Sequence, residues 1–545
     1  MPLVKNMTSG EVVALRAAER DIDQAYSDSA LLQESLGTAI WEVLSFVEDL
    51  QLRPIVQGRA DSSHRTAADI DETLNALKFP MAWLHGRCNA DGALLRCHDP
   101  ERYQSAWDIL ELARKYYGFS GPFEYWTRGD LGLRLEGTRI IAERDFNETA
   151  EYEGYNRLMD YKEDEDAPAG SESLTAELDS LVRVKGTRFT ITLNPRLMEK
   201  VITSLETPFQ RRFTLPECWK FSRYSLREFR LVYLVMFAMA AIRRRARIVA
   251  AARGCLGLGV VDSVMVTPLD ALIARLTRYT GLPVQPVVAV LNDLTYGSRG
   301  QLHPDPALQP LIHLSSGHYA LAPFLWLHSS PERNLCVLLN RIPEERALYS
   351  RLKGGKERVM VSVIEAAAQA RGFRTIKGTV TGREDLGDID LAIISDSEQA
   401  CLVLELKWFI GPAEVREIFE RREELQKGIA QVEARVRAIR EGCPACLSML
   451  QLAPARIQGV VVSKNWIGDS AVQKQPWPVI SEQHLIAKLN VVENLSSVME
   501  WLARRQYLPM LGKHFCVETT NIQIGSWATE WYGINSLVDG PYLPL

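Results

Sequence analysis

The 545-residue chain lacks several things that would narrow its role at once. It has no net basicity: Lys and Arg number 63 against 68 Asp and Glu, a formal charge of −5, so nothing global marks a nucleic-acid binder, although local patches suffice for one. It has no long hydrophobic run. The longest, Leu231 to Ile242, falls well short of a bilayer's thickness and is bracketed by arginines, so it reads as a buried helix and no membrane partner is expected. Met1 to Met7 lacks the charged-then-apolar pattern of a secretory leader. Cysteine is sparse and odd in number, nine in all, which points to a reducing, cytoplasmic setting rather than a disulfide scaffold. Cys443-Pro444-Ala445-Cys446 is a lone CxxC with no second pair at zinc spacing, and reads as two free thiols in a loop. No repeat occurs at solenoid periods. Gly254 to Gly259 lacks the Lys-Ser/Thr of a phosphate-binding loop.

What is present is an ordinary globular composition, 46% apolar and 24% charged, in a chain long enough for several domains. Residues 1–158 read as mainly helical, with apolar spacing over Ala14–Tyr26 and Leu31–Leu52, and a surface loop at Gln57–Arg65. Residues 159–175 form an acidic linker or insertion. Residues 176–262 are basic, aromatic and mostly helical, after a strand at Arg188–Leu193. Between Thr207 and Gly254 stand eleven Lys or Arg against two Glu, interleaved with Trp219, Phe221, Tyr224, Phe229 and Tyr233. Such a mixture can track a phosphate backbone and stack bases, with Arg243, Arg244, Arg245 and Arg247 as the phosphate contacts; equally, it can be a buried helix whose arginines pair with acids elsewhere. Residues 263–345 follow the order helix, turn, helix, hairpin, that of a winged-helix module or of a linking subdomain. Residues 346–500 form an α/β unit, and 501–545 a C-terminal extension.

The densest chemistry lies between Gly387 and Lys407. Two apolar runs flank the polar tetrad Asp396-Ser397-Glu398-Gln399, a hairpin signal. Folding the chain symmetrically about that tetrad sets Asp390 opposite Glu405 and Asp388 opposite Lys407. With period-two alternation all four project from one face, while Ile389, Leu391, Ile393, Leu402, Leu404 and Leu406 fill the other. Three carboxylates and an ammonium on an otherwise apolar hairpin are costly to keep unless a cation joins them, so a divalent-metal site is expected. Removing Glu405 should then relieve the crowding of Asp390 and raise metal-free stability.

Asp on one strand and Glu405-Leu406-Lys407 on the next resembles the PD-(D/E)xK nuclease superfamily, over residues 355 to 485. Ile389 stands where that family has a proline. The flanks agree: a helix from Glu357 to Ala370 with Val359, Val363, Ile364 and Ala367 in its stripe, a strand at Phe373–Val380, and a long helix after Gly411-Pro412 striped by Leu425, Ile429, Val432, Val436 and Ile439. Strands at Ile457–Ser463 and Pro478–Ile480 follow, then a helix capped by Ser481. The resemblance implies a multidomain α/β protein whose largely helical N-terminal half precedes a restriction-endonuclease-like α/β/α domain on a central mixed sheet. It implies Mg²⁺ (or Mn²⁺) held by Asp390, Glu405 and the Leu406 carbonyl, with Asp388 nearby, and Lys407 acting on the attacking water. Glu365 on the leading helix and Gln431 on the long helix would complete the catalytic set. DNA is the expected substrate, in restriction or phage defence by analogy. A homodimer would allow double-strand cleavage, and a partner protein could gate or target the site. A catalytically inactive nucleic-acid-binding or protein-interaction scaffold on the same fold is the alternative.

Overall fold

The computed structural model describes residues 9–56, 63–144, 150–159, 172–538 and 542, apart from 211, 214, 256, 316 and 413. The acidic stretch expected at 159–175 lies largely outside the described residues, as does most of the Gln57–Arg65 loop; Ser63 opens a helix, Ser63–Ala76. The chain is a mixed α/β protein, with four separate sheets among the described residues.

The N-terminal part is helical as expected, with helices Ser9–Asp23, Leu36–Val56, Lys78–Arg87 and Pro100–Thr127. It also carries the strand pair Gly132–Glu136 and Arg139–Glu143. That pair does not stand alone. The last hairpin of the chain, Phe515–Ile524 with Trp527–Ser536, joins it through parallel pairing of Ala528 and Thr529 with Arg139 and Ile140. The C-terminal extension is therefore part of a sheet it shares with the N-terminal region.

Leu226–Ala252 is a 27-residue helix opened by a capping box from Ser225 and Glu228, and it is buried along most of its length. It runs beside Leu36–Val56, whose own sequence places Glu42, Glu48 and Asp49 inside the protein. Asp49 accepts hydrogen bonds from the Gly259 N–H (2.6 Å), Tyr103 (3.2 Å) and Arg247 (3.3 Å). Glu48 accepts the Phe324 N–H (2.8 Å), and burial pushes its carboxyl up to about 8. Glu42 is fully buried, neither of its carboxylate oxygens has a hydrogen-bond partner, and the nearest cation is Arg102 Nε at 3.7 Å. Burial, opposed by Arg102, raises its carboxyl to about 7.

A raised carboxyl has a definite sign in stability. The protonated acid suits this interior better than the carboxylate, so the contribution is complete below the ordinary carboxyl range and is lost as pH rises through about 7. Glu42→Gln cannot ionise. It is expected to melt close to the wild type near pH 5 and clearly above it near pH 8. A difference in melting temperature that stays flat across that window would refute the buried-acid account.

Met265–Pro268, Leu311–Ser315 and His318–Leu321 make a three-stranded sheet next to helices Leu269–Thr280 and Val284–Leu294, the expected helix, turn, helix, hairpin order. Gly281 closes the first helix in the left-handed region (φ +69°), which a side chain would resist. Val284–Leu294 has no Lys or Arg and buries Val287, Val290, Leu291 and Leu294, so it brings no positive charge to a DNA groove.

The last unit supplies the candidate site, and its elements are numbered here. They are α1 (Pro343–Ala370), β1 (Arg374–Thr379), β2 (Asp388–Ser395), β3 (Ala400–Trp408), α2 (Val415–Arg440), α3 (Pro444–Leu450), β4 (Arg456–Lys464), β5 (Val479–Ser481), α4 (Glu482–Val491) and α5 (Leu495–Ala503). The sheet order is β5-β4-β3-β2-β1. Strands β1, β2 and β3 are antiparallel neighbours, whereas β3, β4 and β5 run parallel, so the sheet is mixed. Its central strands are buried on both faces, as sheets covered by helices must be. Helix α2 lies over β3 and β4, with Leu425, Ile429, Val432, Val436 and Ile439 all inward. Helix α1 packs on β1, β2 and β3 and is twice as long as the sequence suggests. Within the expected span, 357–370, its buried residues are Met360, Ile364 and Ala368, while Val359 and Val363 are exposed, so the true stripe is rotated from the expected one. Arg422 of α2, buried, grips Asp469 and, through Asp130, the N-terminal region; the two carboxylates lie 2.5 to 3.0 Å from it.

Candidate active site

The β2–β3 ladder pairs Ala400 with Ser395, Cys401 with Ile394, and so on to Leu404 with Leu391, the register that symmetry about the tetrad requires. The ladder stops there. Beyond it, Asp390 turns its carboxylate onto β3 and accepts the Leu406 N–H at 2.7 Å. The polar residues thus collect where two buried strands separate, at the end of an apolar sheet.

Glu405 is 2% exposed and both of its oxygens are occupied. Oε1 accepts from Lys407 Nζ at 2.6 Å, and Oε2 accepts from Arg435 Nη1. Lys407 Nζ also donates to Gln431 Oε1 at 3.2 Å. Gly428 of α2 is why the helix can come this close. A Cβ there would meet Lys407 Cε at 3.0 Å and Glu405 Cγ at 3.4 Å. Burial, and after it the neighbouring Glu405 carboxylate, raise the Asp390 carboxyl to about 6, against the pull of the Leu406 N–H, Arg435 and Lys407. A carboxyl held against ionising beside a second carboxylate is what an added divalent cation would relieve.

Asp390, Glu405, Leu406, Lys407 and Gln431 are therefore brought together. Other expected members are not. Asp388 is exposed and takes a 2.6 Å hydrogen bond from Thr379 Oγ1; it is paired with β1 through Thr379 after β2 and β3 have parted, so it does not face Lys407. Glu365 bonds Lys377 Nζ at 2.6 Å and Thr375 Oγ1 at 3.1 Å. Thr375 pairs with Ile393, and Ile393 with Leu402, which puts Glu365 on the α1 face, opposite the face of Glu405. Among the described residues no three of His, Cys, Asp and Glu converge as a metal-holding group. The donor set at hand is two hard carboxylates on adjacent strands. That suits Mg²⁺, which commonly takes one or two protein carboxylates and keeps several waters.

The arginines offered as phosphate contacts are engaged within the protein: Arg247 is buried, while Arg243, Arg244 and Arg245 are half-buried. Arg247 is 5% exposed and bonds Asp49 and the carbonyls of Cys255 and Gly257. Arg245 makes two bonds to Asp179 (2.8 and 2.6 Å), Arg244 contacts His328 at 3.2 Å, and Arg243 stacks over Phe189. Burial drives the His328 ring down to about 3, so it meets Arg244 as a neutral acceptor. Trp219, Phe221, Tyr224, Phe229 and Tyr233 are all core residues and offer no stacking platform. The helix is the one the greasy run implies; Arg247 follows the run inside, where Asp49 receives it, while Arg245 stays partly exposed against Asp179.

Arg435 is the residue the sequence reading missed. It is 2% exposed, donates through Nε to the Leu386 carbonyl at 3.1 Å, and fixes Glu405 from the side opposite Lys407. The signal was available: position 435 lies three residues after Val432 and next to Val436, on the buried stripe, where a guanidinium needs a partner.

No protein-family model matches the chain, and neither a curated protein nor a solved structure matches it.

Proposed function

We propose that the chain is a metal-dependent nuclease that hydrolyses phosphodiester bonds of DNA, on a restriction-endonuclease-like domain formed by α1 to α4 and β1 to β5. The observation that supports this reading most is the meeting of Asp390, Glu405 and Lys407 where β2 and β3 separate, with Gln431 reaching Lys407 from α2. Asp390 and Glu405 would hold Mg²⁺, which when bound supplies charge to polarise a phosphodiester and acidify water. Lys407 would place its ammonium where negative charge develops on the phosphoryl oxygens. Gln431 and Glu405 limit the directions Lys407 can take, so that charge is aimed before substrate arrives. Arg435 keeps Glu405 from swinging out of the sheet.

One observation favours a second reading, a non-catalytic scaffold with a structural ion cluster. Both Glu405 oxygens already have cationic partners in Lys407 and Arg435. Metal affinity separates the two. Under the nuclease reading Mg²⁺ or Mn²⁺ raises the melting temperature of the wild type and does so much less for Asp390→Asn; an equal shift in both proteins places any metal elsewhere. The functional test is a cleavage panel with linear duplex, supercoiled plasmid, single-stranded DNA and RNA, in Mg²⁺, Mn²⁺ or EDTA, using wild type and Glu405→Gln/Lys407→Ala. Metal-dependent cutting that vanishes in the variant supports the nuclease and names its substrate. Absence of cutting together with absence of a metal-induced shift leaves the scaffold.

A further inference from the structure

Helix α3 begins at the CxxC, and its two sulfurs have unlike surroundings. Cys443 immediately precedes the helix and is partly exposed, whereas Cys446 is 1% exposed and packs in the core. The Cys443 carbonyl accepts the Leu447 N–H at 3.0 Å, so the first turn is formed and residues 443 and 446 share one side of it. Arg383, from the loop before β2, donates Nη1 to Cys443 Sγ at 3.5 Å while its other nitrogens hold Asp385. Cys446 follows three residues later, on the same turn as that sulfur. A thiolate at Cys443 would thus find donors already in place, and a second thiol within reach of it.

We propose that Cys443 and Cys446 form a redox-active dithiol that exchanges with small-molecule disulfides, Cys443 being the attacking sulfur and Cys446 the resolving one. The Cys443 thiolate attacks one sulfur of a disulfide RSSR and expels RS⁻, which leaves as RSH with the proton Cys443 gave up. Cys446 then loses its proton, attacks the Cys443 sulfur of the mixed disulfide and expels the second RS⁻, which takes that proton. The protein is oxidised by two electrons and RSSR is reduced to two RSH, so atoms and charge balance. The division of labour follows from the environments. Hydrogen bonds from the Cys446 backbone N–H and thiol, assisted by Arg383, hold Cys443 below the usual thiol range, whereas burial and the facing Cys443 push Cys446 up to about 11. The attacker is partly exposed and activated; the resolver is shielded until the mixed disulfide forms beside it.

The test uses the full-length reduced protein and oxidised glutathione. The expected product is a protein lighter by two hydrogens, with an intramolecular Cys443–Cys446 link on non-reducing peptide mapping. Cys446→Ser is expected to stop at a glutathione adduct on Cys443, and Cys443→Ser to form neither. Cys97 and Cys218, both exposed, are internal comparators. Cys443 should react about tenfold or more faster than Cys218. Initial modification at Cys218 or Cys97, or wild-type protein that keeps glutathione without closing the link, would overturn the proposal. The wild-type mapping needs no variant, so it stands even where a substitution harms folding.

Discussion

Glu405→Ala is expected to destabilise the protein by about 3–5 kcal/mol in metal-free buffer, the usual result of stripping one partner from a buried ion pair. Arg435 would keep a 2% exposed guanidinium with only the Leu386 carbonyl as its hydrogen-bonded partner, and Lys407 would lose its 2.6 Å contact. This reverses the sign drawn from the sequence, where Glu405 is seen only as a second negative charge beside Asp390. Relief of that repulsion is real, but it is the smaller effect, because Asp390 can also meet it by taking a proton near pH 6. Replacing both members, as Glu405→Leu with Arg435→Met, should recover most of the loss, since a matched apolar pair leaves no unpaired charge. Denaturant titration of the two proteins decides the matter. A loss below about 1 kcal/mol in Glu405→Ala would mean that Arg435 is solvated and the cluster is loose.

Lys407→Ala should act on rate rather than on fold. Its side chain is 21% exposed, so removing it should change stability by about 1 kcal/mol, while cleavage in the presence of Mg²⁺ should fall by about 10²–10³-fold. The metal-induced rise in melting temperature should persist, because Asp390 and Glu405 are untouched. Lys407→Arg is expected to restore little: the guanidinium is wider than an ammonium, and the helix lies so near that even a Cβ at Gly428 would meet the lysine stem at 3.0 Å. Cleavage by Lys407→Ala at the wild-type rate would remove Lys407 from the chemistry and leave it as a partner of Glu405.

What could be read in the sequence divides along one line. Register was legible because a polar tetrad between two apolar runs leaves a single way to bury both, and the pairs from Ser395–Ala400 to Leu391–Leu404 follow it. The α2 stripe was legible for the same reason. Where the ladder ends was not, since separation of β2 from β3 depends on what covers them, and so Asp388 was assigned to a cluster it does not join. Glu365 joined the candidate set through the resemblance alone, and nothing in a helical stripe says which face of the sheet the helix will cover. The arginines 243 to 247 show the limit most plainly. Their fate turns on Glu48, Asp49 and Asp179, distant in sequence, and a basic cluster carries no mark of whether acids wait inside. A charge inside an apolar stripe does carry such a mark, as Arg435 shows.

The sheet shared by the two ends of the chain bears on synthesis. Thr529 donates to the Ile140 carbonyl across 389 residues. At about 5–20 residues per second, strand Arg139–Glu143 leaves the ribosome roughly 20–80 s before its partner exists. Through that interval it presents an unpaired edge, the kind of surface that recruits other strands. One edge of that early strand pair therefore stays open until the late hairpin arrives to close it.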